Sequence, residues 1–256
     1  MVDIDAAIDT MVAFLERYLE RTGADGYALG VSGGLDSTVA LALAVEAVGP
    51  DRVAGIVMPG APSSAENMRD ARDVCDRRDV SVLEMDIQPV VEAVRTSAGF
   101  DPDTVALGNV RARVRMVLEY LLANECDGLV LGAGNKSERE LGYFTKYGDG
   151  AVDVAPMGDL YKTEVADVAR RLDVDERFVE KTPTAELWEG QTDEGELGAS
   201  YDTIDAILER YLDRGQSPDR IAAETTYDRE LIDRFVAMHE RSGHKRSRPP
   251  IADIER

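Results

Sequence analysis

Residues Leu29 to Thr38 read LGVSGGLDST, in which glycines, two serines and an aspartate follow directly on an apolar run. A glycine-rich turn leading from a strand into a helix is an anion cradle, because backbone N–H groups converge there and the helix N-terminus adds positive potential. Gly30, Val31, Gly33, Gly34 and Leu35 offer main chain to a phosphate, and Ser32 and Ser37 add hydroxyl donors. The stretch is not a Walker loop, since the GK[ST] ending is missing and no lysine lies near it. Asp36 is the informative residue. A carboxylate beside a phosphate repels it unless a cation lies between them, and magnesium, which takes one or two carboxylates together with substrate phosphates, is the natural choice. A plain glycine turn capping a helix is the competing reading of these residues on their own.

Fixed positive charge to meet such an anion is scarce. The 256 residues hold 50 Asp plus Glu against 29 Lys plus Arg, a net charge of -21, and only five lysines: Lys136, Lys146, Lys162, Lys181 and Lys245. That balance argues against nucleic-acid and anionic-membrane partners. Excess acid with little lysine matches proteins of halophilic organisms, where concentrated salt screens self-repulsion; a GC-rich genome that exchanges Lys for Arg accounts for the lysines equally well. The chain opens without a basic segment or an apolar leader, and no apolar run approaches the roughly 20 residues of a membrane span. A soluble, cytoplasmic protein is expected. Cys75 and Cys126 lack CxxC spacing and are expected to be buried free thiols.

The elements that position these residues follow from periodicity. Ile4, Ile8, Met11, Val12, Leu15, Tyr18 and Leu19 recur at helical spacing. Strands are predicted over Tyr27–Val31, Val53–Met58, Val80–Met85 and Gly128–Leu131, and helices over Ser37–Val48, Ala65–Arg77, Asn109–Asn124 and Asp159–Leu172. Strands alternating with helices at these intervals mean an α/β fold with a doubly wound parallel sheet and flanking helices. Helical patterns around Ile204–Leu212, Ser217-Pro218 and Leu231–His239 make the C-terminal third helical, with His239 on an apolar face as a structural residue. One domain is expected over residues 1–256. Within Asn109–Asn124, Arg111 and Arg115 share a flank and Arg113 lies on the other.

SGGLDS after a strand resembles the loop of the N-type ATP pyrophosphatases, which split ATP between its α and β phosphates. The resemblance narrows with NVRARVRM at Asn109–Met116, LGAGNKSERELGYFTKYGDGAVDVAPMGDLYKTEV at Leu131–Val165, KTPTAELWEGQTDEGELG at Lys181–Gly198 and HKR at His244–Arg246. Each is similar to a segment of the NAD synthetases, in that family's order and across nearly the whole chain. The resemblance implies an adenine nucleotide alpha-hydrolase-like fold and an ammonia-dependent ligase that converts deamido-NAD to NAD through an acyl-adenylate. The co-substrate is ATP and the metal Mg2+. It further implies an ATP site of Gly30 to Ser37 with Ala133, Lys162 and Thr184, in which Asp36 and Lys162 are catalytic. Magnesium falls to Asp36 and Glu138, and deamido-NAD to Arg113, Lys146, Asp153, His244 and Lys245. A homodimer is implied too, with the N-terminal helix and the Asn109–Asn124 helix as contact surfaces unless they are core.

Several residues stay open at this level. Lys136 is read as guiding an anion, and Lys181 as an equal choice between a site cation and a helix-end charge. Ala133 stands where the family commonly has Thr, so a side-chain contact to ATP is lost there. Trp188 lies in a stretch that reads as a mobile lid. No protein nucleophile is needed, and either Asp149 or Asp153 could take a proton from ammonia. The 26 residues before the first strand are too few for a glutaminase domain, so ammonia is expected free or from a separate partner. The rivals are a tRNA-modifying ATP pyrophosphatase, disfavoured by the acidic charge and isolated cysteines, and a nucleotide sensor without catalysis.

Overall fold

The computed structural model describes residues 2–254. In chain order the elements are α1 (Ile4–Thr22), β1 (Tyr27–Gly30), α2 (Leu35–Val48), β2 (Val53–Val57), α3 (Ala65–Arg77), β3 (Ser81–Glu84), α4 (Gln88–Ser97), α5 (Thr104–Glu125) and β4 (Leu129–Val130). They continue as α6 (Lys136–Leu141), α7 (Lys162–Arg171), α8 (Glu176–Val179), α9 (Asp193–Leu197), α10 (Tyr201–Leu208), α11 (Pro218–Glu224), α12 (Arg229–Arg241) and α13 (Gly243–Arg246). The four strands are parallel and ordered β3-β2-β1-β4, with Tyr27 opposite both Val53 and Leu129. The chain walks outward from β1 to β3 and then crosses back to place β4 on the other side of β1. The crevice at the carboxyl ends of β1 and β4 is therefore a topological switch point, where ligands of open α/β sheets bind.

Helices cover both faces of the sheet. Leu15 and Leu19 of α1, the α2 run Val39–Ala44, and Val165 and Val168 of α7 form the main core on one face. On the other, Val114 of α5 and Val91 of α4 close over Ile56 and Met58. α2 is apolar on every side and buried from Ser37 to Ala44, as a helix enclosed by sheet and neighbours must be. A second apolar cluster, with Leu141, Tyr161, Leu197, Ile204 and Phe235 at its centre, joins α6, α9, α10 and α12.

The predicted elements are present with shifted ends. α2 begins at Leu35 and α5 at Thr104, the latter capped by Asp103, whose carboxylate accepts the Ala106 N–H at 2.7 Å. α4, α6 and α9 were not anticipated. Cys75 is buried as expected, but Cys126 is exposed, because it caps the C-terminus of α5 and its thiol reaches only back to the Leu122 carbonyl. Among the described residues no helix is long and apolar enough to cross a membrane.

Candidate active site

The β1–α2 turn fixes itself before it binds anything. Gly33 sits at φ +78°, and a Cβ there would lie 2.1 Å from the Asn67 carbonyl, so only glycine fits. The Ser37 hydroxyl donates to the Gly34 carbonyl at 3.2 Å and accepts the Ser32 N–H at 3.2 Å, while Thr38 Oγ1 donates to the same Gly34 carbonyl at 2.8 Å. Lys181 fastens the turn from outside: its ammonium donates to the Gly33 carbonyl at 2.9 Å and to Asp70 at 2.5 Å. Although Lys181 follows the end of α8, its ammonium is thus spent on the turn and on Asp70.

Asp36, in the first turn of α2, faces α6 and α7. Lys162 at the start of α7 is 8% exposed and pairs with Asp36, and its Nζ lies 3.5 Å from Glu138. Burial alone pulls the ammonium down, but Asp36 and Glu138 outweigh it and raise the Lys162 pKa. Glu138 is pushed well above the usual carboxylate range by burial, against the pull of Lys162 and with the push of Asp36. Asn135 joins the two helices' charges. Its side-chain oxygen accepts the Glu138 N–H at 3.0 Å, capping α6, and its Nδ2 donates to Asp36 Oδ1 at 2.9 Å.

Asp193 completes this cluster. It is 4% exposed, accepts the Tyr201 hydroxyl at 2.9 Å, and is raised by burial. Neither Asn135 nor Asp193 was singled out from the sequence. Only Asn135 carried a local signal, an N-cap type three residues before Glu138. Among the described residues no three His, Cys, Asp or Glu side chains gather into a protein-only metal cage. Asp36 and Glu138 are carboxylates of the kind that Mg2+ takes together with substrate phosphates, and both reach the Lys162 ammonium beside the phosphate cradle.

This cluster forms one wall of a cavity of about 1150 Å³ that the SGGLDS turn also lines, along with Ala133, Thr184 and Lys245. The opposite wall is α5, where Arg115 rather than Arg113 enters. Its guanidinium donates to the Met58 carbonyl at 3.3 Å, and burial lowers its pKa. Beside it Glu119 is raised to about 7 by burial, with Asp149 adding and Arg115 opposing. The segment expected to be a loose lid is fastened on both sides of the cavity. Glu186 accepts the Ser64 N–H at 3.3 Å, Arg111 donates to the Leu187 carbonyl at 2.7 Å, and Gly108 of α5 lies against the Trp188 ring. The Thr184 hydroxyl is engaged inside this segment, donating to the Gln191 carbonyl at 2.7 Å.

The residues expected to meet the dinucleotide divide. Arg113, Lys146 and His244 do not line the cavity but form a chain next in sequence to its lining residues Ala112, Thr145 and Lys245, Arg113 Nη2 donating to the Lys146 carbonyl at 3.2 Å and Lys146 Nζ to the His244 carbonyl at 2.6 Å. Lys245 lines the cavity, its ammonium donating to the Gly142 and Phe144 carbonyls at 2.7 Å each. Asp153 stands apart: its carboxylate accepts the Val130 N–H at 2.8 Å and the Tyr120 hydroxyl at 3.2 Å, and it does not line the cavity. Asp149 does line it. Lys136 guides no anion here, because it pairs with Asp213 at 2.9 Å and Asp159 at 3.5 Å over the Tyr161 ring. His239 is structural as expected, meeting Glu140 at 3.1 Å.

A family model described as NAD synthase matches residues 7–249. The chain belongs to that family. It is 44% identical to the NH(3)-dependent NAD(+) synthetase of Thermococcus kodakarensis over 248 residues, covering 97% of each chain. Its fold superposes on an NH3-dependent NAD synthetase from Campylobacter jejuni, in complex with the nitrate ion, with a TM-score of 0.84 at 28% identity, covering 99% of this chain and 100% of that one. The NMN synthetase from Francisella tularensis gives 0.88 at 32% identity, with the same coverage.

Proposed function

We propose that this protein is an ammonia-dependent ligase that converts deamido-NAD to NAD at the cost of ATP, and that the cavity between the SGGLDS turn and α5 is where it does so. The observation carrying this reading is the convergence of Asp36, Lys162 and Glu138 beside an anion-cradling turn, in a chain of the NAD synthase family. A nicotinate carboxylate oxygen bonds to the α-phosphorus, the α–β bridging bond breaks, and pyrophosphate leaves with the electron pair. Ammonia then adds to the acyl carbon, the carbon–oxygen bond to AMP breaks, and one proton is released.

Two anions must meet in the first step, so the protein's work is positioning and charge neutralisation. The SGGLDS backbone and α2 N-terminus hold phosphate oxygens, Lys162 stands beside the leaving pyrophosphate, and Thr184 and Ala133 border the nucleotide. Asp36 and Glu138 would hold Mg2+, which would supply further charge stabilisation at the phosphates. Arg113, Lys146, His244 and Lys245 engage the dinucleotide, whereas Asp153, spent on the Val130 N–H and the Tyr120 hydroxyl outside the cavity, takes no part in binding it. Asp149, on the cavity wall, accepts the proton from ammonia. A homodimer is part of this reading. α5 turns Val117 and Leu121 outward beside Val90 and Val94 of α4, an apolar strip suited to a second copy. The apolar stripe of α1, by contrast, is core.

The test is product analysis. With ATP, magnesium, deamido-NAD and ammonium, the protein should yield AMP, pyrophosphate and NAD in equal amounts, and glutamine should not replace ammonium. ADP as the main product, or AMP without NAD, contradicts the reading. Faster amidation of nicotinate mononucleotide would move the substrate from dinucleotide to mononucleotide.

A further inference from the structure

The catalytic assignment leaves unexplained what holds Lys162 and Glu138 in place, since each sits at the start of its own short helix. α7 begins at Lys162 after Tyr161, which has no short polar side chain to cap the helix, so the first N–H groups need acceptors from elsewhere. Two come from other helices. The Lys162 N–H donates to Ser137 Oγ at 2.9 Å, and the Thr163 N–H donates to Asp205 Oδ2 at 2.9 Å. The Ser137 hydroxyl in turn donates to Asp205 Oδ1 at 2.5 Å.

One carboxylate on α10 thereby fixes both partners. It orients the serine hydroxyl whose oxygen takes the Lys162 N–H, and that serine immediately precedes Glu138. All three groups are enclosed: Ser137 is 0%, Asp205 5% and Lys162 8% exposed. In so dry a setting an acceptor that goes missing is not replaced by water.

We infer that Asp205, acting through Ser137, is a positioning residue for the adenylation step, locking the backbone of Lys162 and the start of α6 so that Lys162 and Glu138 face Asp36 in fixed register. This rests on the assignment of Lys162 to that step. A carboxylate is required by the pattern, because both of its oxygens face donors. A carboxamide would turn an NH2 toward one of them.

The experiment compares Asp205→Asn, Ser137→Ala and Lys162→Ala with a control, Glu164→Gln, in which Glu164 accepts the Tyr161 N–H at 2.9 Å on the same helix end but forms no hydrogen bond with Ser137 or Asp205. Steady-state pyrophosphate release and thermal melting are measured on each full chain. Asp205→Asn and Ser137→Ala are expected to lower kcat on the order of 10- to 100-fold, the scale set by small misplacements of a catalytic group, with KM for deamido-NAD within about twofold. Glu164→Gln should lose melting temperature without a comparable loss of kcat.

Wild-type kcat in Asp205→Asn and Ser137→Ala alongside an inactive Lys162→Ala overturns the inference alone. Full turnover in Lys162→Ala overturns the assignment beneath it as well. A kcat that falls in step with melting temperature across all variants, the control included, also overturns it. Should Asp205→Asn not fold, Ser137→Ala decides.

Discussion

Asn135 donates its side-chain N–H to Asp36 at 2.9 Å while its oxygen caps α6 through the Glu138 N–H at 3.0 Å, so one amide links the cradle helix to the helix bearing the second metal carboxylate. The two contacts separate by substitution. Asn135→Ser keeps a neutral capping oxygen but is too short to donate to Asp36, and should keep most of the melting temperature while losing turnover by about 10-fold or more. Asn135→Ala loses the cap as well, at about 1 kcal/mol, and should lose both. Wild-type turnover in Asn135→Ser would show that the link to Asp36 is idle.

Lys162 and Asp36 are both expected to be essential for turnover, yet their removal should differ in stability. Lys162→Met leaves the partly buried Asp36 and Glu138 without their counter-charge, and breaking a buried pair in this way costs up to about 3–5 kcal/mol. Asp36→Asn leaves Lys162 still facing Glu138 and should cost less. Denaturant melts are expected to rank wild type above Asp36→Asn and Asp36→Asn above Lys162→Met. The reverse order of the two variants would mean that Lys162 is not held by this pair.

How much of this was legible depends on whether the signal was local. The β1–α2 turn was, because Gly33 and Asp36 carry their meaning in their own backbone and charge. The long amphipathic α1 and the strand–helix alternation were legible for the same reason. α4 was not: Val90 and Val94 lie on its exposed side, so its apolar positions do not mark a buried stripe. α6 is six residues long, between glycine-rich stretches that hide any period. Lys136 and Asp153 resemble site residues in sequence but are taken up by Asp213, Asp159, Tyr120 and Val130, partners near and far in the chain that only packing brings to them. Asp205 likewise reads as one more acid on an amphipathic helix until α6 and α7 are docked against it.

Glu119 gives a pH signature distinct from the many surface acids. Its carboxyl is raised from 4.5 to about 7, chiefly by burial. Below its unfolded value both states are protonated. Between that value and about 7 the unfolded chain releases the proton while the folded one keeps it, so stability falls as pH rises. Above this window the loss is complete. Glu119→Gln removes the penalty, so its stability relative to wild type should climb through the window by roughly 3 kcal/mol and then level off. A difference that stays constant with pH would show that Glu119 ionises as freely in the folded protein as in the unfolded one.

The central claim is that the nicotinate carboxylate attacks the α-phosphorus of ATP. Deamido-NAD carrying heavy oxygen in both carboxylate positions tests it directly, with the products of a reaction run with ATP, magnesium and ammonium resolved by mass spectrometry. An acyl-adenylate hands one labelled oxygen to AMP and leaves the other in the amide of NAD. The account predicts AMP carrying one heavy oxygen per molecule and unlabelled pyrophosphate. Heavy oxygen in orthophosphate, with AMP unlabelled, would contradict it by placing the attack on the terminal phosphate.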